Sequence, residues 1–340
     1  MSDTYLVIGG CGFLGSHIVE QLLDKCPEAA VRILDLRRTF EVPRAEYFIG
    51  DICDYDLMVK ACTGVTAVIH TASPHAGVPA TIMRKVNVEG TANVIRACRA
   101  CSVPSLIFTS SSSVVLGAQG HLTNADETTP YPTRFADYYG QTKAEAEQLV
   151  LAANDPAAGF RTCSLRPAGI FGPRDQQMVP QSLNSLKKRA NLFQIGSNHT
   201  LVDCTYVGNV AHAHLLAVER LPKFEAVAGE AFFITNDNPV LFWDPMRALW
   251  SLVGASTRPV VVIPDWGAYL IYYLLYGILT ALSYVIPTIS TRAPFVVKLM
   301  VTHRFFNITK AKTYLGYRAI VPLDDGFRRS VEWYRETQKS

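Results

Sequence analysis

The run Tyr5-Leu-Val-Ile8-Gly9-Gly-Cys-Gly12-Phe13-Leu14-Gly15 decides how the rest of the chain is read. Tyr5 to Ile8 is a short apolar stretch of strand type. The glycines interrupt it, and Leu14, Ile18 and Leu22 then recur at helical spacing. The pattern is strand, tight turn, helix. Gly9, Gly12 and Gly15 let the backbone approach a pyrophosphate, whose charge sits at the helix N-terminus beside Phe13 and Leu14. Such a turn alone is a weak signal. The next strand-type run, Val31-Arg-Ile-Leu-Asp35, strengthens it, because its terminal carboxylate stands where an adenosine-ribose ligand is expected. Asp35 would repel a 2′-phosphate and so favours NAD. Arg37 and Arg38 keep NADP open, since a guanidinium nearby would accommodate that phosphate.

Outward from this unit the alternation continues. Tyr47–Asp51, Thr66–Thr71 and Ser105–Thr109 read as strands, with helices over Asp56–Cys62 and Thr81–Cys101 between them. Arg161 opens a sixth strand that runs into Pro167-Ala168-Gly169-Ile170. Strands alternating with helices predict an α/β fold, a doubly wound parallel sheet of Rossmann type, with its ligand at the carboxyl ends of the strands. Asp51-Ile52, Ala72-Ser73 and the serines 110 to 113 fall at those ends. Beyond residue 172 the rhythm loosens, with helical stretches near 178–190 and 207–220 and short strands near 201–206 and 230–235. We divide the chain into a nucleotide-binding domain over 1–172 and a smaller substrate-binding region over 173–340. The two interleave, and the last segments return to the core.

Tyr139-Gly-Gln-Thr-Lys143 precedes a run rich in helix formers. If the helix includes Tyr139, phenol and ammonium lie on one face. A free phenol is a poor base at neutral pH, and a nearby ammonium favours the phenolate. The pair can then exchange a proton with a hydroxyl or carbonyl.

Composition sets bounds. The chain has 340 residues, 49% hydrophobic and 18% charged, with formal net charge +3. No Lys/Arg-rich block points to nucleic acid. No basic region followed by a long apolar run opens the sequence, so no signal peptide is read. The eight cysteines are scattered, which suits a reduced, cytosol-facing protein better than a disulfide framework. Cys98-x-x-Cys101 lacks a second Cys/His pair, and His212 and His214 stand two apart on a helix, so no metal is expected. His75 follows a strand end near the expected cofactor and is held as a minor candidate.

Taken together, Gly9-x-x-Gly12-x-x-Gly15, Asp35, Gly50-Asp51, Asn87-Val-Glu-Gly90-Thr91, Thr109-Ser-Ser111 and Tyr139-x-x-x-Lys143 resemble the extended short-chain dehydrogenases. Arg166-Pro-Ala-Gly-Ile-Phe-Gly-Pro173, with Asp203, Tyr206, Val207, Asn209 and Val210, narrows the likeness to the 3β-hydroxysteroid dehydrogenase branch. His70-Thr-Ala-Ser-Pro74, Phe193-Gln-Ile-Gly196 and Glu230-Ala-Phe-Phe-Ile-Thr-Asn236 are similar to fungal sterol-4α-carboxylate 3-dehydrogenases of the decarboxylating kind. The resemblance runs nearly end to end. It implies that Tyr139 accepts the proton of the alcohol, that Lys143 holds the nicotinamide ribose and lowers the tyrosine pKa, and that Ser111 binds the substrate oxygen, with the register among the serines open by one. It further implies Asn87 beneath the site, Ser110 near the cofactor and Pro167 to Ile170 against the nicotinamide. The implied reaction is NAD(P)-dependent oxidation of a ring 3β-hydroxyl, with loss of carbon dioxide where C4 carries a carboxylate. The alternatives are a paralogue acting on a fungal triterpenoid or meroterpenoid and, from another class, a non-catalytic nucleotide sensor or scaffold.

From Trp266 to Thr291 there is no charged residue. A helix over Ala268–Ile286 would be about 28 Å long, close to the thickness of a bilayer core. Its tyrosines favour headgroup level. We read the stretch as lying on the membrane, in preference to packing in the core or spanning. The resemblance implies the cytosolic face of the endoplasmic reticulum membrane. A homodimer is a fold-level expectation, and other enzymes of sterol C4 demethylation are expected partners.

Overall fold

The computed structural model describes residues 3–74, 78–117, 120–283 and 292–338. His75, the last eight residues of the uncharged 266–291 stretch and its expected helix end at Ile286 lie outside them. Seven strands form the main sheet: β1 (Thr4–Ile8), β2 (Ala30–Asp35), β3 (Ala45–Ile49), β4 (Ala67–His70), β5 (Ser105–Thr109), β6 (Arg161–Pro167) and β7 (Glu230–Ile234). Their order is β7-β6-β5-β4-β1-β2-β3, and every pair is parallel. The order reverses between β1 and β4, so the crevice above these two strands is where a ligand binds in such a sheet.

Helices flank the sheet and make up much of the region beyond it. They are α1 (Phe13–Lys25), α2 (Tyr55–Cys62), α3 (Ala80–Arg84), α4 (Thr91–Ala100), α5 (Tyr138–Ala152), α6 (Met178–Lys187), α7 (Val207–Arg220), α8 (Asp244–Leu252), α9 (Asp265–Ser283), α10 (Arg292–Met300) and α11 (Leu323–Thr337). One apolar core, with Val7, Ile18, Ile33, Ile107 and Val210, lies between the sheet and α1 and α7. The other, with Leu6, Ile8, Val68, Val94 and Phe108, lies beneath α2, α4 and α5. Alternate residues of β1 serve opposite faces, as the pleat requires.

β7 and α7 come from beyond residue 172, yet β7 pairs with β6 and α7 packs on α1. The terminal segments also fold back. Tyr317 Oη donates to Thr235 O at 2.9 Å, and Phe327 of α11 stacks on Phe171 at 4.3 Å. A smaller sheet runs Val240–Leu241, Leu201–Val202, Arg304–Phe306, Leu122–Ala125 and stands beyond the carboxyl ends of the main strands.

The expected long helix over 81–101 is interrupted. Residues Lys85–Gly90 form a wider π-turn between α3 and α4. Such turns recur at functional sites, and this one carries Asn87.

In α9 only a narrow face is packed. Ala268 is fully buried, and Tyr269, Ile271 and Tyr272 lie against Val297 of α10 and Val301 just beyond its end. Trp266 is 71% exposed, Tyr273 65% and Leu274 56%, so most of this apolar helix is not core. Among the described residues, no helix is long and apolar enough to cross a membrane.

Candidate active site

The glycine turn has the close approaches the sequence demanded. A Cβ on Gly15 would lie 2.1 Å from Gly9 O. Gly9 has φ +80°, and a Cβ there would meet Ala72 N at 2.8 Å. Any side chain would therefore fill the space above the N-terminus of α1, where amides point toward an incoming phosphate. Asp35 closes this end of the crevice, accepting from Cys11 N at 3.0 Å and Leu36 N at 2.7 Å. Arg38 stacks on Tyr47 at 4.2 Å and pairs with Glu41 at 3.2 Å. At the next strand end, Asp51 caps Cys53 N at 3.0 Å, and Ile52 is buried with its carbonyl held by Asn93 at 2.7 Å. A glycine cradle, a helix N-terminus and a ribose-facing carboxylate fit a dinucleotide.

The helix does include Tyr139. α5 starts at Tyr138, capped by Asp137 Oδ1 accepting from Gly140 N at 2.8 Å. Tyr139 and Lys143 are thus one turn apart on the face toward the strand ends. Burial pushes the Tyr139 phenol up, Ser111 pulls it down through a hydrogen bond, Asp137 raises it, and Ser73 lowers it. Among the four serines, Ser111 is therefore the one that meets the phenol. Its Oγ also donates to Ser113 Oγ at 3.0 Å and caps the following turn. Ser110 is buried, its hydroxyl without a hydrogen-bond partner among the described residues.

Lys143 is fully buried. Its Nζ donates to Thr109 O at 2.6 Å and lies 4.1 Å from the centre of the Phe108 ring. Burial brings this ammonium down to about 7, against the opposing pull of Glu147. In this geometry burial dominates the phenol, and the lysine is engaged with the β5 carbonyl.

Asn87 ties the site together. Its Oδ1 accepts from Ser73 Oγ at 2.9 Å, and its Nδ2 donates to Thr142 Oγ1 at 3.0 Å. The end of β4, the π-turn and α5 are joined through one side chain. Ser73, expected beside the cofactor, also reaches the phenol. On the other side, Ala168 is buried and Gly169 sits at φ +52°, where a Cβ would meet Asp203 O at 2.6 Å. Pro167 ends β6, and Ile170 pairs with Thr205. Thr205 Oγ1 donates to Ala168 O, which fixes this loop over the crevice.

Sequence reasoning missed the burial of Glu147. Glu147 lies four residues after Lys143 and binds Arg166 in the interior at 2.7 Å. The i, i+4 spacing was visible, but its burial was not. His214 was expected to be an ordinary helix residue. Its Nδ1 donates to Val210 O at 2.8 Å, so its Nε2 accepts from Thr109 Oγ1 at 2.7 Å, and burial lowers it to about 4. It is a neutral structural residue. Among the described residues, no three His, Cys, Asp or Glu side chains gather to hold a metal, and all eight cysteines are free thiols.

Next to Ser112, Ser113, Ala168 and Gly169 opens a cavity of about 440 Å³, lined by Leu116, Leu122, Met178, Phe242, Met246 and Phe306. The arrangement can hold a dinucleotide along the strand ends and an apolar molecule beyond it, with a hydroxyl of that molecule at Ser111 and Tyr139.

Residues 6–265 match the family model described as the 3-beta hydroxysteroid dehydrogenase/isomerase family. This chain belongs to that family. The decarboxylating sterol-4-alpha-carboxylate 3-dehydrogenase of Saccharomyces cerevisiae is 41% identical over 98% of this chain and 98% of its own. The decarboxylating sterol-4-alpha-carboxylate 3-dehydrogenase of Mus musculus is 40% identical over 98% of this chain and 91% of its own. Among solved structures, a dTDP-glucose 4,6-dehydratase of Streptomyces venezuelae crystallised with NAD superposes with TM-score 0.74. It is 21% identical, with 98% of each chain covered, which extends the likeness of fold beyond steroid enzymes.

Proposed function

We propose that this chain is an NAD(P)-dependent 3β-hydroxysteroid-type dehydrogenase that oxidises a 4α-carboxysterol, with decarboxylation of the β-keto acid formed. The observation that carries the reading is the Tyr139 phenol beside Ser111 and Ser73, next to Ser112 and Ser113 of a largely apolar cavity and to a glycine cradle. Gly9, Gly12, Gly15 and Asp35 would hold the adenosine half of the dinucleotide. Asp51, Ile52, Ala72 and Ser73 would flank it, and the Pro167–Ile170 loop would face the nicotinamide. The cofactor supplies a hydride acceptor. Asp35 favours NAD, since its carboxylate would repel a 2′-phosphate.

Ser111 holds the substrate oxygen, and Tyr139 takes its proton as the C3–H bond breaks. Lys143 lies one turn away to hold the nicotinamide ribose. An oxidised C3 next to a C4 carboxylate is a β-keto acid. Its C4–carboxyl bond breaks with the electron pair passing into the C3 carbonyl, and carbon dioxide leaves. The resulting enolate oxygen stays where Ser111 and Tyr139 can donate to it, which is electrostatic stabilisation of developing charge. A proton then returns to C4. No metal is required.

Purified protein with NAD+ and a 4α-carboxysterol should yield NADH and the decarboxylated 3-ketone. Neither product, under conditions where an established decarboxylating dehydrogenase reacts, would refute the reading.

The exposed face of α9 supports a position on a membrane surface. Trp266, Leu270, Tyr273, Leu274 and Ile278 are all exposed on one helix. Aromatic and aliphatic side chains of this kind suit the headgroup boundary, and a lipid substrate would reach the cavity from there. The endoplasmic reticulum is the membrane that the reading favours.

A further inference from the structure

The cavity is largely apolar, with serines and Gln181 among its lining, and it carries two ionisable groups, Asp203 and Arg304. Arg304 opens the strand Arg304–Phe306, between Leu201–Val202 on one side and Leu122–Ala125 on the other. Its Nη2 donates to Leu299 O at 3.3 Å, and its guanidinium carbon lies 6.0 Å from the centre of the Phe242 ring. Its Nε is buried with no hydrogen-bond partner among the described residues. No carboxylate forms an ion pair with it among those residues.

The acidic residue of the same lining, Asp203, does not fill that role. Its Oδ2 accepts from Phe306 N at 2.8 Å, and its Oδ1 has no partner among the described residues. Burial pushes Asp203 up to about 7, Phe306 N opposes the rise, and Asp237 adds to it, so its charge is weakened. Burial likewise brings Arg304 down to about 10, which leaves it cationic at neutral pH. The cavity therefore holds a permanent cation whose compensating anion is not supplied by a neighbouring side chain. A buried charge without a partner is costly, and an arriving anion removes that cost.

We propose that Arg304 is the specificity-determining residue that binds the carboxylate of the substrate. The assignment rests on the dehydrogenase reading for the orientation of the substrate, whose hydroxyl faces Ser111 and Tyr139, beside the Ser112 and Ser113 wall of this cavity. Arg304 acts in binding and not in the loss of carbon dioxide. A guanidinium that holds the carboxylate stabilises the charge that decarboxylation must discharge. Its effect belongs in affinity.

The test is a binding titration in the presence of NADH, which prevents oxidation. A 4α-carboxysterol and its 4α-carboxamide, delivered in the same detergent, are compared on wild type, Arg304→Met and Arg304→Lys. A charge-assisted pair corresponds to a preference of roughly 10- to 100-fold for the carboxylate in wild type. Arg304→Met should erase the preference while cofactor affinity stays intact, and Arg304→Lys should restore part of it. Equal affinity of wild type for the two ligands overturns the assignment, as does a preference that survives Arg304→Met. If Arg304→Met does not fold, the wild-type comparison decides alone. Turnover with NAD+ is measured in parallel. Carboxylate preference without turnover would refute the dehydrogenase reading and leave Arg304 as the anion site. Turnover without the preference would do the reverse, and binding of neither ligand would overturn both.

Discussion

Glu147→Ala should be among the most damaging single changes outside the reacting groups. Glu147 is fully buried and Arg166 is 4% exposed. The carboxylate accepts from Arg166 Nε at 3.0 and 3.1 Å, from Arg166 Nη2 at 2.7 Å, from Ser164 Oγ at 2.7 Å and from Tyr131 Oη at 2.7 Å. Arg166 Nη1 already lacks a partner among the described residues. Truncation therefore strands a buried guanidinium and two hydroxyls. Breaking a buried pair from one side costs about 3–5 kcal/mol. Replacing both partners, as in Glu147→Leu with Arg166→Met, should restore most of that, because no charge is then left alone. Guanidinium unfolding followed by tryptophan fluorescence measures each variant. A loss under about 1 kcal/mol for Glu147→Ala, against the range expected for a buried pair, would refute the reasoning. So would a double variant as unstable as the single one.

The same pair makes a statement about pH. Burial raises Glu147, but the hydrogen bond and charge of Arg166 outweigh it and hold the carboxyl below its usual value, with help from Ser164 and Tyr131. A depressed carboxylate contributes stability that is complete above the unfolded value, near ~4.3, and is lost as pH falls through the folded one. Wild type and Glu147→Gln should accordingly converge in stability in acid and separate above it.

Three further outcomes are expected. Tyr139→Phe should lower kcat by about 10²- to 10⁴-fold with cofactor affinity preserved, as removal of a general base does, and a variant keeping most of its turnover would remove the phenol from the mechanism. Gly15→Ala should weaken NAD binding at least about tenfold, because its Cβ would strike Gly9 O at 2.1 Å, whereas Gly277→Ala in α9, with nothing within 4 Å, should leave it unchanged. Equilibrium dialysis with NAD distinguishes the two. Leu270→Asn, Leu274→Asn and Ile278→Asn combined should abolish co-flotation with phosphatidylcholine vesicles, given about 1.5–3 kcal/mol for each buried aliphatic side chain. Undiminished flotation would place the contact elsewhere.

The main sheet was legible because its signals are local. Each strand is a short apolar run, every crossover but the one from β2 to β3 carries a helix, and the glycine turn and the Tyr139–Lys143 pair occupy single segments. Groups assembled across the chain were not legible. Arg304 faces the cavity only because its strand lies between residues 122 and 201, and no periodicity records that pairing. Glu147 reads as a solvated helix charge until Arg166 arrives from β6. The π-turn at Asn87 was hidden too, since its residues are compatible with an ordinary helix. The apolar stretch from Trp266 was plain in the sequence, but the sequence could not say which of its faces is packed. That Ser111 is the serine acting on the phenol depends on Tyr139, which lies beyond a loop.

The seventh strand has a consequence for how the protein is made. β6 ends at Pro167, and the strand that covers its outer edge does not begin until Glu230. During synthesis the six preceding strands emerge first, and the edge of β6 stays open while some sixty further residues are translated. An uncovered strand edge is a template for pairing with other chains. At a translation rate of roughly 5–20 residues per second, that interval lasts several seconds. The vulnerable species is thus a nascent chain whose nucleotide crevice is already outlined, and a dinucleotide bound at that stage would act as a folding ligand before it ever serves as an oxidant.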